Sequence, residues 1–489
     1  MKRIVVLIVC TLLLGGIQAQ VNQEFEKWKQ ERNKEFADFK DAKQKAFAEF
    51  REKINREFAE KMGRQWKQEK TSKPVPVPKR PEPPKPVIKE KPTPVPTQAE
   101  PVAKVVPPVK EEPQPQPVQP IAHPVNEDNA AYAFNFHNTP CKVHLKKEMS
   151  FSLANAKENT VSAAWQKLSK SGYDVVADDC LNYRKQLLLN DWGFIDLVKT
   201  LANAFLGKNS NESVLMQGYL LAQAGYKIRM ARSGEKLVLL VPFTNVVYEY
   251  TYLMLDGEKF YVLEENKNSN ASYFVFNEKF PGEKTPSLVL KNEPLFKDDP
   301  TTTKAFASVR YPEIAVNITT NKNLIEFYNS CPSTDWEEYA KASLSNKVKK
   351  ILYPVLKKQT TGKSQVEAAN ILLNFVQTAF KYKTDDEQFG YERSLFGDEL
   401  FYYPYSDCED RSILFSILVK DLLNLDVVLL NYPEHLATAV CFTENVSGHY
   451  FTVKNKKYVV CDPTYIGAPV GDCMPQFAGV GATIIEIEK

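Results

Sequence analysis

The chain carries an internal repeat that restricts its folding more than any other feature. Ser213-Val-Leu-Met-Gln-Gly-Tyr-Leu-Leu-Ala-Gln-Ala-Gly-Tyr-Lys-Ile-Arg-Met lies without a gap beneath Ser412-Ile-Leu-Phe-Ser-Ile-Leu-Val-Lys-Asp-Leu-Leu-Asn-Leu-Asp-Val-Val-Leu. The register holds through residues 237–243 beneath 436–442, then resumes with a one-residue shift at 259–264 beneath 457–462. Ahead of each copy, 194–205 resembles 369–380 as a further helix. Each unit therefore reads as helix, key helix, then antiparallel strands, which predicts two tandem units of one α+β architecture. The expected strands are 237–243, 248–255 and 259–263 in the first copy and 437–442, 449–453 and 458–462 in the second, with Asp256-Gly257 and Asn455-Lys456 as tight turns.

The 489 residues divide further by composition. Residues 1–19 have Lys2 and Arg3, an apolar run and small residues up to Ala19, which reads as a secretory leader; the run is short for a membrane anchor. Residues 20–72 read as one long charged helix, with Phe25, Phe36, Phe47 and Phe58 every eleven residues and Trp28, Phe39 and Phe50 three after the first three. That aromatic stripe predicts coiled-coil self-association; the competing reading is a solvated helix whose aromatics touch the chain's own domains. Residues 73–125 hold more than half of the 32 prolines and read as a polyproline-II spacer without a core. The two repeat units then occupy 126–300 and 301–489.

Net charge is +3, so no strong field argues for nucleic acid. After leader removal seven cysteines remain, an odd number that leaves at least one thiol unpaired. With so few in a chain this large, buried thiols are favoured over disulfides. No metal-ligand cluster and no phosphate-binding glycine loop is apparent, so neither metal nor cofactor is expected.

The chemistry concentrates in the second copy. Ser406-Asp407-Cys408-Glu409-Asp410-Arg411 opens an apolar helix, and a cysteine in a first helical turn is exposed to the helix dipole and to unpaired backbone N–H groups. Asp407 is the expected helix cap, and Asp410 with Arg411 an expected ion pair. His435 opens one strand and Asp462 closes another, the residue types needed to move a thiol proton and to orient the imidazole. His449 competes with His435, Asp462 can serve a turn alone, and Cys408 can be an inert core thiol. At the matching positions the first copy has Asn209, Lys236 and Glu264, so it is expected to be catalytically dead. Residues 381–407, absent from the first copy, bring Phe389, Tyr391, Phe396, Phe401, Tyr402, Tyr403 and Tyr405 and read as a cleft wall.

Asp407-Cys408-Glu409-Asp410 at a helix start, His435 at a strand start and Asp462-Pro463-Thr464 at a strand end resemble the three motifs of the transglutaminase-like superfamily, distant relatives of papain. Phe389-Gly-Tyr-Glu-Arg393 also resembles bacterial members. The resemblance covers roughly residues 360–475, with a degenerate copy over much of 192–265. It implies two tandem transglutaminase-like (papain-like) domains, with Cys408 as nucleophile, His435 as general base and acid, and Asp462 as its orienter. Gln388 is the expected candidate for a second oxyanion donor, by its position ahead of the cysteine. Where the family often has an aromatic two residues after the histidine, this chain has Ala437. The expectation is an exported peptidase or amidase acting through a thioester. The alternatives are a cross-linking transglutaminase and a non-catalytic peptide-binding scaffold. Expected partners are a peptide or protein substrate, a second copy through the N-terminal helix and a cell-envelope component.

Overall fold

The structure, a computed structural model, describes residues 2–78, 88–89, 97–108, 132–263 and 272–487. The side chains of residues 2–26, 41 and 44 lie outside that description, as does Glu264; the expected leader therefore falls where only the backbone is described. Helix α1 (Lys2–Met62) runs 61 residues, roughly 90 Å at 1.5 Å per residue. Its aromatic stripe has two fates. Trp28, Phe36, Phe39, Phe47 and Phe50 are exposed, with Arg32, Lys43 and Arg51 lying over the rings of Trp28, Phe39 and Phe47. Phe58, Ala59 and Met62 instead enter the core, where Phe58 packs edge-on against Phe276 and Phe280. Asn55, fully buried, is satisfied by Gln223 and Trp165. At this end the aromatics do touch the chain's own domain. Among the described residues no helix is long and apolar enough to cross a membrane.

The helix ends ten residues short of the expected 72. Gly63 follows it, and the buried Trp66 indole donates to the Met62 carbonyl at 2.8 Å, turning the chain into strand β1 (Lys67–Lys70), which pairs antiparallel with residues 272–275. The proline-rich region also departs from the expected spacer. It contains β2 (Gln98–Ala99) and β3 (Val102–Val106), in the stretch where Pro101 is the single proline and backbone donors are again available.

The first lobe pairs α2 (Asp191–Leu206) and α3 (Asn211–Gln223) with β4 (Arg229–Ser233), β5 (Lys236–Pro242), β6 (Tyr252–Leu255), β7 (Glu258–Val262) and β8 (Ser272–Phe276). In the second lobe α4 (Gln365–Ala379) and α5 (Cys408–Leu423) are followed by β9 (Asp426–Asn431), β10 (Leu436–Cys441), β11 (His449–Val453), β12 (Lys456–Cys461) and β13 (Ala482–Glu486). The strand orders are β8-β4-β5-β7-β6 and β13-β9-β10-β12-β11, the same path twice. Both key helices lie against the first two strands of their sheet, so the internal repeat is a repeat of topology. Asp256-Gly257 makes the first tight turn as expected. In the second copy the turn falls one residue early, on Lys454 and Asn455, whose positive φ values and the pairing of Val453 with Lys456 suit a type I′ hairpin.

The proline-rich region closes the second sheet. β2 runs parallel to β11 at one edge and β3 parallel to β13 at the other, and only Glu100 and Pro101 separate them. The two ends of the sheet are thus joined through two residues, the sheet curls, and the outer edges of β11 and β13 are both covered. Glu100 is buried in the closure. One oxygen lies 2.5 Å from His449 Nδ1 and the other accepts the Gly479 N–H at 2.6 Å. Lys89 adds an ion pair to Asp472 and a backbone bond to the Ile466 carbonyl. Glu100→Ala is expected to cost about 2–4 kcal/mol, since both partners are left buried and unpaired, whereas loss of the exposed Lys454–Glu486 pair costs under about 1 kcal/mol. Urea unfolding of the two variants checks the contrast.

Candidate functional site

Asp407 occupies the cap of α5 and its N–H is taken by the Asp410 carboxylate at 3.2 Å, which leaves Cys408 as the first helical residue. The helix start is tied to the β10 start, because the Ser412 hydroxyl donates to the Leu436 carbonyl at 2.9 Å. Cys408, Leu429 and Leu436 form one packed cluster with Trp336 against it. The Cys408 thiol is fully buried and donates to Glu409 Oε2 at 3.1 Å.

His435 immediately precedes β10, and its Nε2 lies 2.8 Å from Asp462 Oδ2. Asp462 also makes its turn: Oδ1 accepts the N–H groups of Thr464 and Tyr465 at 2.9 and 3.2 Å. One oxygen thus meets the imidazole and the other makes the turn. With Nε2 engaged, His435 Nδ1 is buried and unbonded. An imidazole held this way offers its other nitrogen as proton acceptor. Phe477 stacks on the ring at 5.1 Å and 11°, and Gln377 holds the turn after Asp462 by donating to the carbonyls of Asp462, Tyr465 and Ala468. His449 is committed to Glu100 instead.

Gln388 is used elsewhere. Its amide donates to the Tyr405 carbonyl at 3.3 Å and accepts the Tyr405 N–H at 3.1 Å, which braces the segment before the cysteine. The expected Asp410–Arg411 ion pair is replaced by a different network: the buried Arg411 guanidinium bonds the Ser406 hydroxyl and the Gln377 and Phe380 carbonyls. The expected cleft wall divides, with Tyr391 and Phe396 lining an interdomain cavity and Phe401 packed into the core on Phe306 and Phe380. None of the seven described cysteines is in a disulfide. In the first lobe Asn209 lies outside α3, two residues before its start, with left-handed backbone, and Lys236 is exposed.

Spacing along the chain shows no metal-ligand cluster, whereas the fold gathers carboxylates that are distant in sequence. Carboxylate oxygens of Asp385, Glu392 and Glu409 come within 4.8 Å of one another, as do those of Asp385, Asp407 and Asp410. These residues are far apart or alternate along the chain, so spacing did not reveal them. Asp407 Oδ1 is buried and unbonded. An all-oxygen donor set of this kind suits a hard divalent cation such as calcium.

Burial, with Asp410 and Glu409 alongside, pushes the Asp385 carboxyl up to about 10; burial and neighbouring carboxylates also raise Asp407 and Asp410 well above the usual range. Asp385 in an unfolded chain titrates near 4. Its contribution to stability is therefore present below about pH 4 and lost as pH rises toward 10. In chelator the melting temperature should fall from about pH 5 to about pH 9, and calcium should recover most of the loss at the alkaline end. Scanning fluorimetry across that range checks both effects.

No family model, curated protein or solved structure matches the chain.

Proposed function

We propose that the chain is an exported cysteine acyl-transfer enzyme of transglutaminase-like type, a tandem of one degenerate and one active domain, acting as a peptidase or amidase on peptide or glutaminyl carbonyls. The observation that carries this reading is the His435–Asp462 bond of 2.8 Å with His435 Nδ1 left buried and unbonded, at a strand start tied to the helix that begins with Cys408.

His435 Nδ1 accepts the Cys408 proton as the sulfur attacks the acyl carbon. The carbonyl electron pair moves to oxygen, where the Cys408 N–H at the helix start is a donor for the oxyanion. Collapse breaks the C–N bond, the imidazolium proton leaves with the amine and a thioester remains. Water then gives its proton to His435 and its oxygen to the acyl carbon, and the thiolate departs with that proton to regenerate the thiol. Asp462 fixes the ring tautomer and balances the imidazolium charge. Amine in place of water gives a cross-linked product. Because Cys408 and His435 are buried, a polypeptide reaches them only when the site opens. That opening also admits water, which favours hydrolysis. A pure scaffold has no use for the His435–Asp462 pair.

Iodoacetamide near neutral pH should alkylate Cys408 faster than the half-buried Cys331, Cys441 and Cys473, and His435→Ala should slow Cys408 by about tenfold or more. Equal rates, or no effect of the substitution, count against the enzyme reading. The exposed aromatics of α1 support self-association, in which a second copy covers Trp28, Phe36, Phe39, Phe47 and Phe50. Removing residues 20–50, which spares the docked end, should lower the mass in analytical ultracentrifugation.

A further inference from the structure

Between the lobes lies a cavity of about 930 Å³, walled by Trp192, Tyr250 and Thr251 from the first lobe and by Tyr328, Tyr391 and Phe396 from the second. We propose that it binds an extended peptide carrying a carboxylate, held on Lys199, and that the first lobe has kept this recognition role after losing the reactive residues. This rests on the acyl-transfer reading where it makes that peptide the substrate.

Two groups in the cavity wall point to a ligand. Thr251 is 3% exposed and its hydroxyl has no hydrogen-bond partner. Of the two lining cations, Arg393 is held by Glu399 and by the Tyr403 hydroxyl, while half-buried Lys199 has no counterion among the described residues. Of the three lining carboxylates, Asp196 meets His137, Glu249 accepts the Val77 N–H and Glu392 lies within 4.8 Å of Glu409, so the buried hydroxyl and the Lys199 ammonium are the groups left for a polar, anionic ligand.

The rim shows the form of that ligand. β6 is the edge strand of the first sheet, and the chain's own residues 71–77 lie extended along this side. The Ser72 N–H donates to the Tyr252 carbonyl at 2.8 Å, the Glu249 N–H to the Val75 carbonyl at 2.8 Å, and the Val77 N–H to Glu249 Oε1 at 3.2 Å. Val77 reaches the cavity lining. Pro74 and Pro76 have no N–H to offer and none is asked of them, so the Val-Pro backbone this edge already holds is the chain's own, and it leads into the cavity at Val77. The floor connects to the reactive helix: Glu392 lines the cavity, its carboxylate lies within 4.8 Å of that of Glu409, and Glu409 holds the Cys408 thiol. Two carboxylate side chains, Glu392 and Glu409, thus link the cavity wall to the sulfur.

The test uses the full chain with Cys408→Ala, so that binding is read without chemistry, and two fluorescein-labelled probes, Pro-Val-Pro-Val-Glu and Pro-Val-Pro-Val-Gln, with amidated C-termini. Fluorescence anisotropy should show the glutamate peptide binding about tenfold more tightly or better. Lys199→Glu should abolish that preference and Lys199→Arg should keep it, with the melting temperatures of both variants unchanged. Equal binding of the two probes, no binding of either, or a preference that survives Lys199→Glu overturns the proposal. Failure of Cys408 alkylation to depend on His435, with the preference intact, removes the reaction and leaves the peptide site standing.

Discussion

The second lobe depends on a helix buried around its whole circumference at its N-terminal end. From Cys408 to Val419 every residue of α5 is buried, so the helix is enclosed by β9 and β10 on one side and by α4 and the short helix Trp336–Lys341 on the other. A helix start in that position brings unpaired N–H groups into the interior and must satisfy them there. Asp410 does so for Asp407, Arg411 binds the carbonyls at the end of α4, and Ser412 binds Leu436. The same contacts that make the burial tolerable fix the positions of Cys408 and His435. Folding requirement and site geometry are one set of bonds in this region.

The first lobe shows which part of that arrangement is optional. It retains the helix pair and the strand order, yet α3 starts two residues later than α5 in the aligned register, and its cap is Ser210, bonded to the Ser213 N–H at 3.0 Å. Ser213, aligned with Ser412, turns its hydroxyl to Asn203 instead of to a strand carbonyl. No buried carboxylate is required at this start. The acidic first turn of α5 therefore exceeds what the topology demands, and it works against stability at neutral pH unless a cation or protons neutralise it. The same topology is built in the first copy without that cost, so the acidic start of α5 answers to something other than the fold.

Much of this was legible in the residues because it is local or periodic. The repeat, the helix start at Cys408 and the strand at 449–453 depend on neighbours in sequence, and alternation or capping reveals them. Three features were not legible, each for a stated reason. β2 and β3 are strands only because the edges of a distant sheet need partners, although the proline-poor run from Val102 to Val106 was the available signal. The end of α1 was lost because Lys67–Lys70 suits a helix by composition, while the buried Trp66 and pairing with residues 272–275 decide otherwise. The carboxylate cluster joins Asp385 and Glu392 to the helix start through a loop with no period at all. In the site, the three motif residues were visible and their supports were not. Phe477 and Gln377 resemble ordinary core positions until the fold brings them to His435 and Asp462.

The curled second sheet connects these observations. Its closure passes through Glu100, whose second oxygen holds Gly479, two residues beyond the Phe477 ring stacked on His435. The proline-rich region thus reaches the imidazole by a short chain of contacts, while its earlier part, up to Val77, reaches the interdomain cavity. One covalent segment touches both the place where the peptide is held in our proposal and the loop that roofs the histidine. Cys408 and His435 are both sealed from solvent beneath it. Through β2, Glu100 and β3 the described part of this region is built into the second lobe's sheet and is not a bare tether there.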